Sequence, residues 1–259
     1  MHPCMNKLIY KLEEPAFQAL MDRLHPHLPK GKPTYTDYEM GLLANYRYME
    51  QDTPEVLEGG LRIMEIGPGV GAWLLLAREM GNAVFGEDLP IRHGGNIEAY
   101  PEGDERRFGA YTDAYACITK YWGLDVRHRG FHRFLLDPQH QDFMSMGELC
   151  APGWLDMIHS RGSLSGVLNS YGQVYNPPEI SNQCQLEQIP AAAHSMLSLA
   201  QRALKKLGQL VISHNAGAPA DAFCDYIKSK EFLGSLDIPE RGGFHVIAND
   251  PLYCRLVKA

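Results

Sequence analysis

The stretch LRIMEIGPGVGAW, residues 61–73, combines an apolar strand pattern, an acidic residue and three glycines at alternate positions. Its first part predicts a buried strand, and the residues after Gly71 predict a helix. A glycine turn between a strand and a helix exposes backbone N–H groups at the positive end of the helix. Gly67, Gly69 and Gly71 lack the Cβ atoms that would keep a ligand away from the main chain. The stretch therefore predicts a ligand site at the edge of a parallel sheet.

Short apolar runs alternate with helical segments through the rest of the chain. Further strands are predicted in NAVFGED, within residues 125–143, in GWLDMIHS and in QLVISHN, with a helix over residues 189–208. GFHVI and LYCRLVK, around the turn ANDP, predict an antiparallel hairpin. This order predicts an α/β fold: a Rossmann-like seven-stranded, mostly parallel sheet with a C-terminal antiparallel hairpin and helices on both faces. Residues 1–58 predict an N-terminal helical cap over the strand ends, and residues 59–259 the ligand-binding domain.

The composition and the cysteine and histidine spacing bear on the class of protein and its partners. The 259 residues are 45% hydrophobic and 21% charged, as in soluble globular proteins, and the net charge of −7 argues against a nucleic-acid partner. The six cysteines show no zinc-type spacing, and we expect no metal at His128 and His132, because Gly130 lies between them and no acid or cysteine is near. No signal peptide or membrane helix is predicted, so a cytoplasmic protein without a membrane partner is expected.

Glu65, two residues before Gly67, bears on which ligand the glycine turn binds. Gly67, Gly69 and Ala72 also satisfy G-x-G-x-x-A, one form of the dinucleotide-binding pattern, so the glycines leave a nicotinamide dinucleotide open. A carboxylate at this position is badly placed beside a pyrophosphate. It favours a ligand with a cationic end.

LRIMEIGPGVG resembles the first motif of the class I S-adenosylmethionine-dependent methyltransferases, an apolar strand followed by E/D-x-G-x-G-x-G. In that family the glycine turn lies against the amino-acid part of the cofactor, and the acid helps to place its ammonium group. The resemblance implies S-adenosyl-L-methionine as cofactor and S-adenosyl-L-homocysteine as product. It also implies a set of cofactor-binding residues, which are Glu65, Gly67, Pro68, Gly69 and Gly71.

The resemblance covers about residues 40–259. Asp88 matches the family's G-x-D pattern at the end of the second strand, where an acid binds the ribose hydroxyls, and Glu87 is the alternative. For the adenine, the resemblance implies the pair Asp142 and Phe143 after the third strand, with Asp137 and Pro138 as competitors. The segment RALKKLGQL is similar to the family's R-x-L-K-P-G-G-x-L, from which it departs at residues 206–208.

The ends of the fourth and fifth strands carry the candidate catalytic residues, His159 and His214. Either imidazole could act as a general base, since this group titrates near neutral pH. His159 could instead hydrogen-bond or line the cofactor without transferring a proton. Ser160 is expected near the cofactor, and Arg161 near the cofactor or an acidic substrate.

Tyr35 and Tyr38 are expected to shape the acceptor site, unless their helix simply packs on the sheet. Irregular insertions at residues 1–58, 90–112 and 165–190 are expected to build the acceptor pocket. Asn176-Pro177-Pro178-Glu179 is similar to the N-P-P-Y signature of adenine amino-methyltransferases. It lacks the aromatic residue, however, and does not end the fourth strand.

The sequence therefore predicts an S-adenosylmethionine-dependent methyltransferase acting at oxygen or nitrogen of a small-molecule acceptor. One alternative is a non-catalytic binding module with this fold. The other is an NAD(P)-dependent oxidoreductase.

Overall fold

The computed structural model describes residues 35–68, 71–88, 123–128, 151–161, 182–213, 222–236 and 243–259, together with the single positions 19 and 22. The helices are α1 (Tyr35–Asp52), α2 (Ala72–Glu79), α3 (Asn182–Ala203), α4 (Ala222–Ile227) and α5 (Lys230–Ser235), and a 3-10 turn spans Pro54–Glu58. The strands are β1 (Arg62–Ile66), β2 (Ala83–Asp88), β3 (Val126–His128), β4 (Leu155–Arg161), β5 (Leu204–Ser213), β6 (Phe244–Asp250) and β7 (Tyr253–Lys258). Within this described part, no helix is long and apolar enough to cross a membrane.

The strands form one sheet in the order β3-β2-β1-β4-β5-β7-β6. The first five strands of this order are parallel, and β7 runs antiparallel to both β5 and β6. The chain winds outward from β1 through β2 to β3, and then returns to β4 on the other side of β1. Such a change of winding direction opens a crevice at the carboxyl ends of the central strands. The predicted α/β sheet is confirmed, and the winding direction changes between β1 and β4.

Alternate residues of the central strands enter two separate cores, because successive side chains of a strand point to opposite faces. Ile63, Met157 and Val211 pack with buried residues of α1 and α2 on one face. Met64, Ile158 and Leu210 pack with α3 and α5 on the other. The sheet therefore carries helices on both faces.

Helix α1 packs against the sheet rather than standing apart from it. Leu42, Leu43, Tyr46 and Met49 are buried in the same core as Ile63. This part of α1 thus belongs to the core, while the role of Tyr35 and Tyr38 at the acceptor site and the division at residue 58 stay predictions.

Two predicted boundaries are wrong. The helix predicted over residues 189–208 spans Asn182–Ala203, with Pro190 inside it, because Leu204 turns into the core as the first residue of β5. The third strand predicted within residues 125–143 is present as β3, at Val126–His128. Residues 248–250 of the predicted turn ANDP belong to β6, so the final turn is Pro251-Leu252. There the Asp250 carboxylate accepts a hydrogen bond from the Leu252 N–H at 2.9 Å.

Candidate functional site

The turn after β1 is closed by backbone hydrogen bonds at both of its ends. The Gly67 N–H donates to the Glu87 carbonyl oxygen at 2.7 Å, and the Gly71 N–H donates to the Pro68 carbonyl oxygen at 2.8 Å. Gly67 and Gly71 adopt φ angles of 68° and 78°, which favour glycine strongly over other residues. Gly71 then leads directly into α2, and Gly69 lies outside the described residues. The predicted strand–turn–helix is therefore confirmed.

Gly86, in the middle of β2, lets the turn lie directly against the sheet. A Cβ atom at this position would lie 2.8 Å from the Pro68 Cγ and 2.9 Å from the Leu74 Cδ1. Such contacts are shorter than real Cβ atoms make, so another residue here would push the turn and α2 outward. Gly86 is absent from the predicted site residues, although the G-x-D pattern of residues 86–88 signalled it.

Glu65 is a buried acid on the face of the sheet that α1 and α2 cover. Its relative exposure is 4%, and it lies opposite His159 in the register between β1 and β4. The Glu65 Oε1 is 3.5 Å from the His159 Nδ1. The structure thus places a carboxylate at the point where β1 enters the glycine turn.

His159 is fully buried and stacks on Trp73 of α2, with ring centroids 4.1 Å apart and 13° between the planes. Burial lowers its pKa well below the ordinary 6.5, and the positive charge of Arg161 lowers that pKa further. The ring is therefore neutral at physiological pH, and its contact with Glu65 is not an ion pair. In the described part of the chain, neither ring nitrogen makes a hydrogen bond.

Arg161, the last residue of β4, belongs to a buried network with three further residues. Its Nη2 pairs with the Asp52 Oδ2, which also accepts a hydrogen bond from the Ser213 hydroxyl at 2.5 Å. The guanidinium carbon lies 3.8 Å from the centre of the Tyr48 ring. Burial lowers the pKa of Arg161, whereas Asp52, Tyr48 and Glu65 act to raise it. We call Asp52, Arg161, Ser213 and Tyr48 the buried network.

The remaining described candidates have mainly structural contacts. The Ser160 hydroxyl is buried and donates to the Ile66 carbonyl oxygen at 3.2 Å, which links β4 to β1. Glu87 is 1% exposed and lies on the opposite face of β2 from Gly86. Asp88 ends β2, and its backbone is paired with His128 of β3. The Glu87 side chain therefore lies on the face of β2 opposite to the one that Pro68 and Leu74 approach at Gly86.

Several candidates lie outside the described residues: Asp142, Phe143, His214, and also Asp137, His132 and Asn176. Tyr35 and Tyr38 lie in the first turn of α1, where the structure gives only the backbone. Asp52 and Ser213, by contrast, were missed. An acid at the end of a helix and a serine at the end of a strand are ordinary in sequence, and only the fold brings them together. Among the described side chains, no cluster of histidine, cysteine, aspartate and glutamate is suited to a metal ion.

Comparisons with known proteins find likeness in structure only. No family model matches the chain, and no curated protein matches its sequence. Among solved structures, an S-adenosylmethionine-dependent methyltransferase from Mesorhizobium loti shares 15% identity, with 83% of this chain and 98% of that chain covered and a TM-score of 0.43. The magnesium protoporphyrin IX methyltransferase from Synechocystis PCC 6803, with bound SAM, shares 11% identity over 96% of this chain and 94% of its own, with a TM-score of 0.41.

These structures are S-adenosylmethionine-dependent methyltransferases. A 16S rRNA methyltransferase from T. thermophilus, in complex with AdoMet and guanosine, is also similar, with 16% identity over 79% of this chain and 38% of that chain and a TM-score of 0.37. The acceptors named for these proteins thus range from a porphyrin to RNA. At such identities and TM-scores the likeness assigns no role to any residue here, and the fold rests on the sheet order and register described above.

Proposed function

We propose that this protein is an S-adenosylmethionine-dependent methyltransferase whose cofactor binds at the carboxyl ends of β1 and β2. The observation that carries the proposal is the buried Glu65 at the entrance to the glycine turn. A carboxylate with little access to water repels a neighbouring phosphate strongly and attracts a cation equally strongly. The site therefore favours the ammonium group of an amino acid over the pyrophosphate of a dinucleotide.

The residues around Glu65 fit the other parts of this cofactor. The glycine turn, pressed against Gly86, offers main chain without side chains to the amino-acid part. Asp88, at the end of β2, is the proposed partner of the ribose hydroxyls, and Asp142 and Phe143 are the proposed neighbours of the adenine. When bound, the cofactor supplies an electrophilic methyl group on a sulfonium. The protein has to orient the acceptor in line with that methyl group.

His159 is better suited to packing against the cofactor site than to removing a proton. Its ring is enclosed, is stacked on Trp73 and has a pKa well below 6.5, so it accepts a proton poorly. His214 remains the proposed general base, should the acceptor need one. The burial of Arg161 against Asp52 leaves its charge already balanced, which argues against a role in binding an acidic substrate.

We propose a small-molecule acceptor that is methylated at oxygen or nitrogen. The net charge of −7 supports a small molecule over a nucleic acid. The insertions at residues 1–58, 90–112 and 165–190 are the proposed walls of its pocket. A non-catalytic module with this fold would bind the same cofactor, and it differs from the enzyme only in lacking turnover with a suitable acceptor.

Neutralising Glu65 tests the proposal against a matched control. Glu65→Gln keeps the shape of the side chain and should weaken binding of S-adenosylhomocysteine by about ten- to a hundredfold, the usual value of a hydrogen bond to a charged group. Glu58→Gln makes the same change in charge at an exposed position seven residues earlier in the chain and should leave the affinity unchanged. Isothermal titration calorimetry measures both. Equal affinities for the two variants would remove Glu65 from the cofactor site.

A further inference from the structure

The cofactor site and the buried network share one face of the sheet. Glu65 and His159 are neighbours in the register of β1 and β4, and Arg161 lies two residues beyond His159 on the same face of β4. Arg161 therefore lies closer than His159 to the carboxyl ends of the strands, where we propose that the cofactor binds. A guanidinium at this position is a second cation beside the carboxylate that we assign to the ammonium group.

Asp52 is the residue that pairs with this guanidinium. Its Oδ2 accepts from both Arg161 and Ser213, and its Oδ1 accepts from the Thr53 hydroxyl at 3.1 Å. The side chains of Asp52 and Arg161 are only 3% and 10% exposed, so water screens their attraction weakly. The negative charge of Glu65 also acts to raise the pKa of Arg161, against the stronger effect of burial. Two buried carboxylates thus act on one buried cation.

We propose that Asp52 is a positioning residue for the cofactor site: by holding Arg161 at the end of β4, it keeps this cation from competing with the ammonium group of the cofactor for Glu65. This inference rests on the proposed function. A buried guanidinium that loses a paired carboxylate is destabilised, and the attraction of any remaining carboxylate then matters more to its position. On this face, Glu65 is the other buried carboxylate that the structure describes for the strand ends. Without the charge of Asp52, Arg161 turns toward Glu65 and competes with the ammonium group.

Two ligands separate this effect from a general loss of structure. S-adenosylhomocysteine carries the ammonium group, whereas 5′-methylthioadenosine has the same adenosine without the amino-acid part. Asp52→Asn should weaken S-adenosylhomocysteine binding by about tenfold or more and change 5′-methylthioadenosine binding by less than about twofold. The matched control is Glu55→Gln, which neutralises the acid of a similar pair with Arg255 and should change neither affinity.

A second substitution tests whether Arg161 causes the loss of S-adenosylhomocysteine affinity in Asp52→Asn. Asp52→Asn combined with Arg161→Met removes both charges, avoids a lone buried cation, and should restore S-adenosylhomocysteine binding to within about threefold of the natural protein. Calorimetry on all four proteins gives the affinities, and thermal unfolding without ligand verifies that each is folded.

The outcomes are distinct. A selective loss of S-adenosylhomocysteine that the double variant rescues supports the positioning role. Equal loss of both ligands, no loss at all, or no rescue overturns it while leaving the proposed function intact. Failure of the natural protein to bind S-adenosylhomocysteine overturns the proposed function itself, and the inference with it.

Discussion

Strand β4 carries a charged network at each of its ends, and the two networks differ in burial. Near its start, Asp156 pairs with Arg62 of β1 and Lys205 of β5, and these two cations are 36% and 46% exposed. At its end, Arg161 pairs with Asp52, and both side chains are nearly inaccessible. We call Arg62, Asp156 and Lys205 the exposed network.

The exposed network has a structural role: it connects three adjacent strands, and its cations stay in contact with water. Burial acts to raise the pKa of Asp156, but hydrogen bonds from Arg62 and Lys205 outweigh that effect and hold the pKa at about 2. The buried network is different. Desolvation of two charges offsets much of their attraction, so such pairs are poor stabilisers compared with apolar side chains. The buried network lies at the carboxyl end of β4, where we propose that the cofactor binds.

The largest effect is expected from breaking the buried network. Asp52→Asn leaves the Arg161 charge enclosed without its carboxylate, which should lower the free energy of unfolding by about 3 kcal/mol. Ser213→Ala removes one hydrogen bond from the same network and should lower it by only about 1 kcal/mol. Urea denaturation monitored by circular dichroism measures both. A loss below that of Ser213→Ala would show that the charge pair is not buried in solution.

The next effect concerns the glycine turn that borders the buried network. Gly86→Ala places a Cβ atom against Pro68 and Leu74, and should lower the free energy of unfolding by about 1–3 kcal/mol. Gly234→Ala is the control, because nothing lies within 4 Å of its Cβ position in α5 and alanine favours a helix. It should raise stability by about 0.5–1 kcal/mol. If Gly86→Ala proved as stable as the natural protein, the turn would not lie against β2.

A smaller effect on stability, which depends on pH, is expected from Asp156 in the exposed network. The pKa of Asp156 is lowered from 3.8 to about 2, so its stabilisation is present above pH 3.8 and disappears as the pH falls through about 2. Asp156→Asn should cost about 1 kcal/mol at neutral pH, since the exposure of its partners weakens the pair. The difference from the natural protein should shrink toward zero as the pH approaches 2. A difference that stays constant down to this pH would assign it to hydrogen-bond geometry rather than to charge.

The smallest effect on stability is expected from Leu207, near the start of β5. Leu207 is 65% exposed and adopts a φ of 61°, a strained conformation for a branched side chain. Leu207→Gly should relieve this strain and raise the free energy of unfolding by about 0.5 kcal/mol, after the entropic cost of glycine. Lys206→Gly carries the same entropic cost without any strain to relieve and should lower stability. Thermal denaturation of both variants measures these changes. If Leu207→Gly were less stable than the natural protein, the leucine side chain would contribute more to stability than its backbone strain costs.

The sequence was informative where local pattern decides structure. The apolar run before Glu65 and the glycines after it predicted β1, the turn and α2, because a strand that ends in glycines and opens a helix has a distinctive pattern. The sequence did not predict which polar side chains are buried or which residues far apart in the chain form contacts. His159 at a strand end suggests a general base, yet α2 covers the ring with Trp73 and lowers its pKa. The pair of Asp52 and Arg161 joins residues 109 positions apart, and no local signal predicts such a contact.

Calorimetric titration of the natural protein with S-adenosylhomocysteine and, separately, with NAD tests the central claim most directly. We expect micromolar binding of the adenosyl ligand and none of the dinucleotide, because the buried carboxylate of Glu65 favours an ammonium group over a pyrophosphate. Binding of NAD alone would contradict the claim, and Glu65 would then be a buried structural acid beside a dinucleotide site.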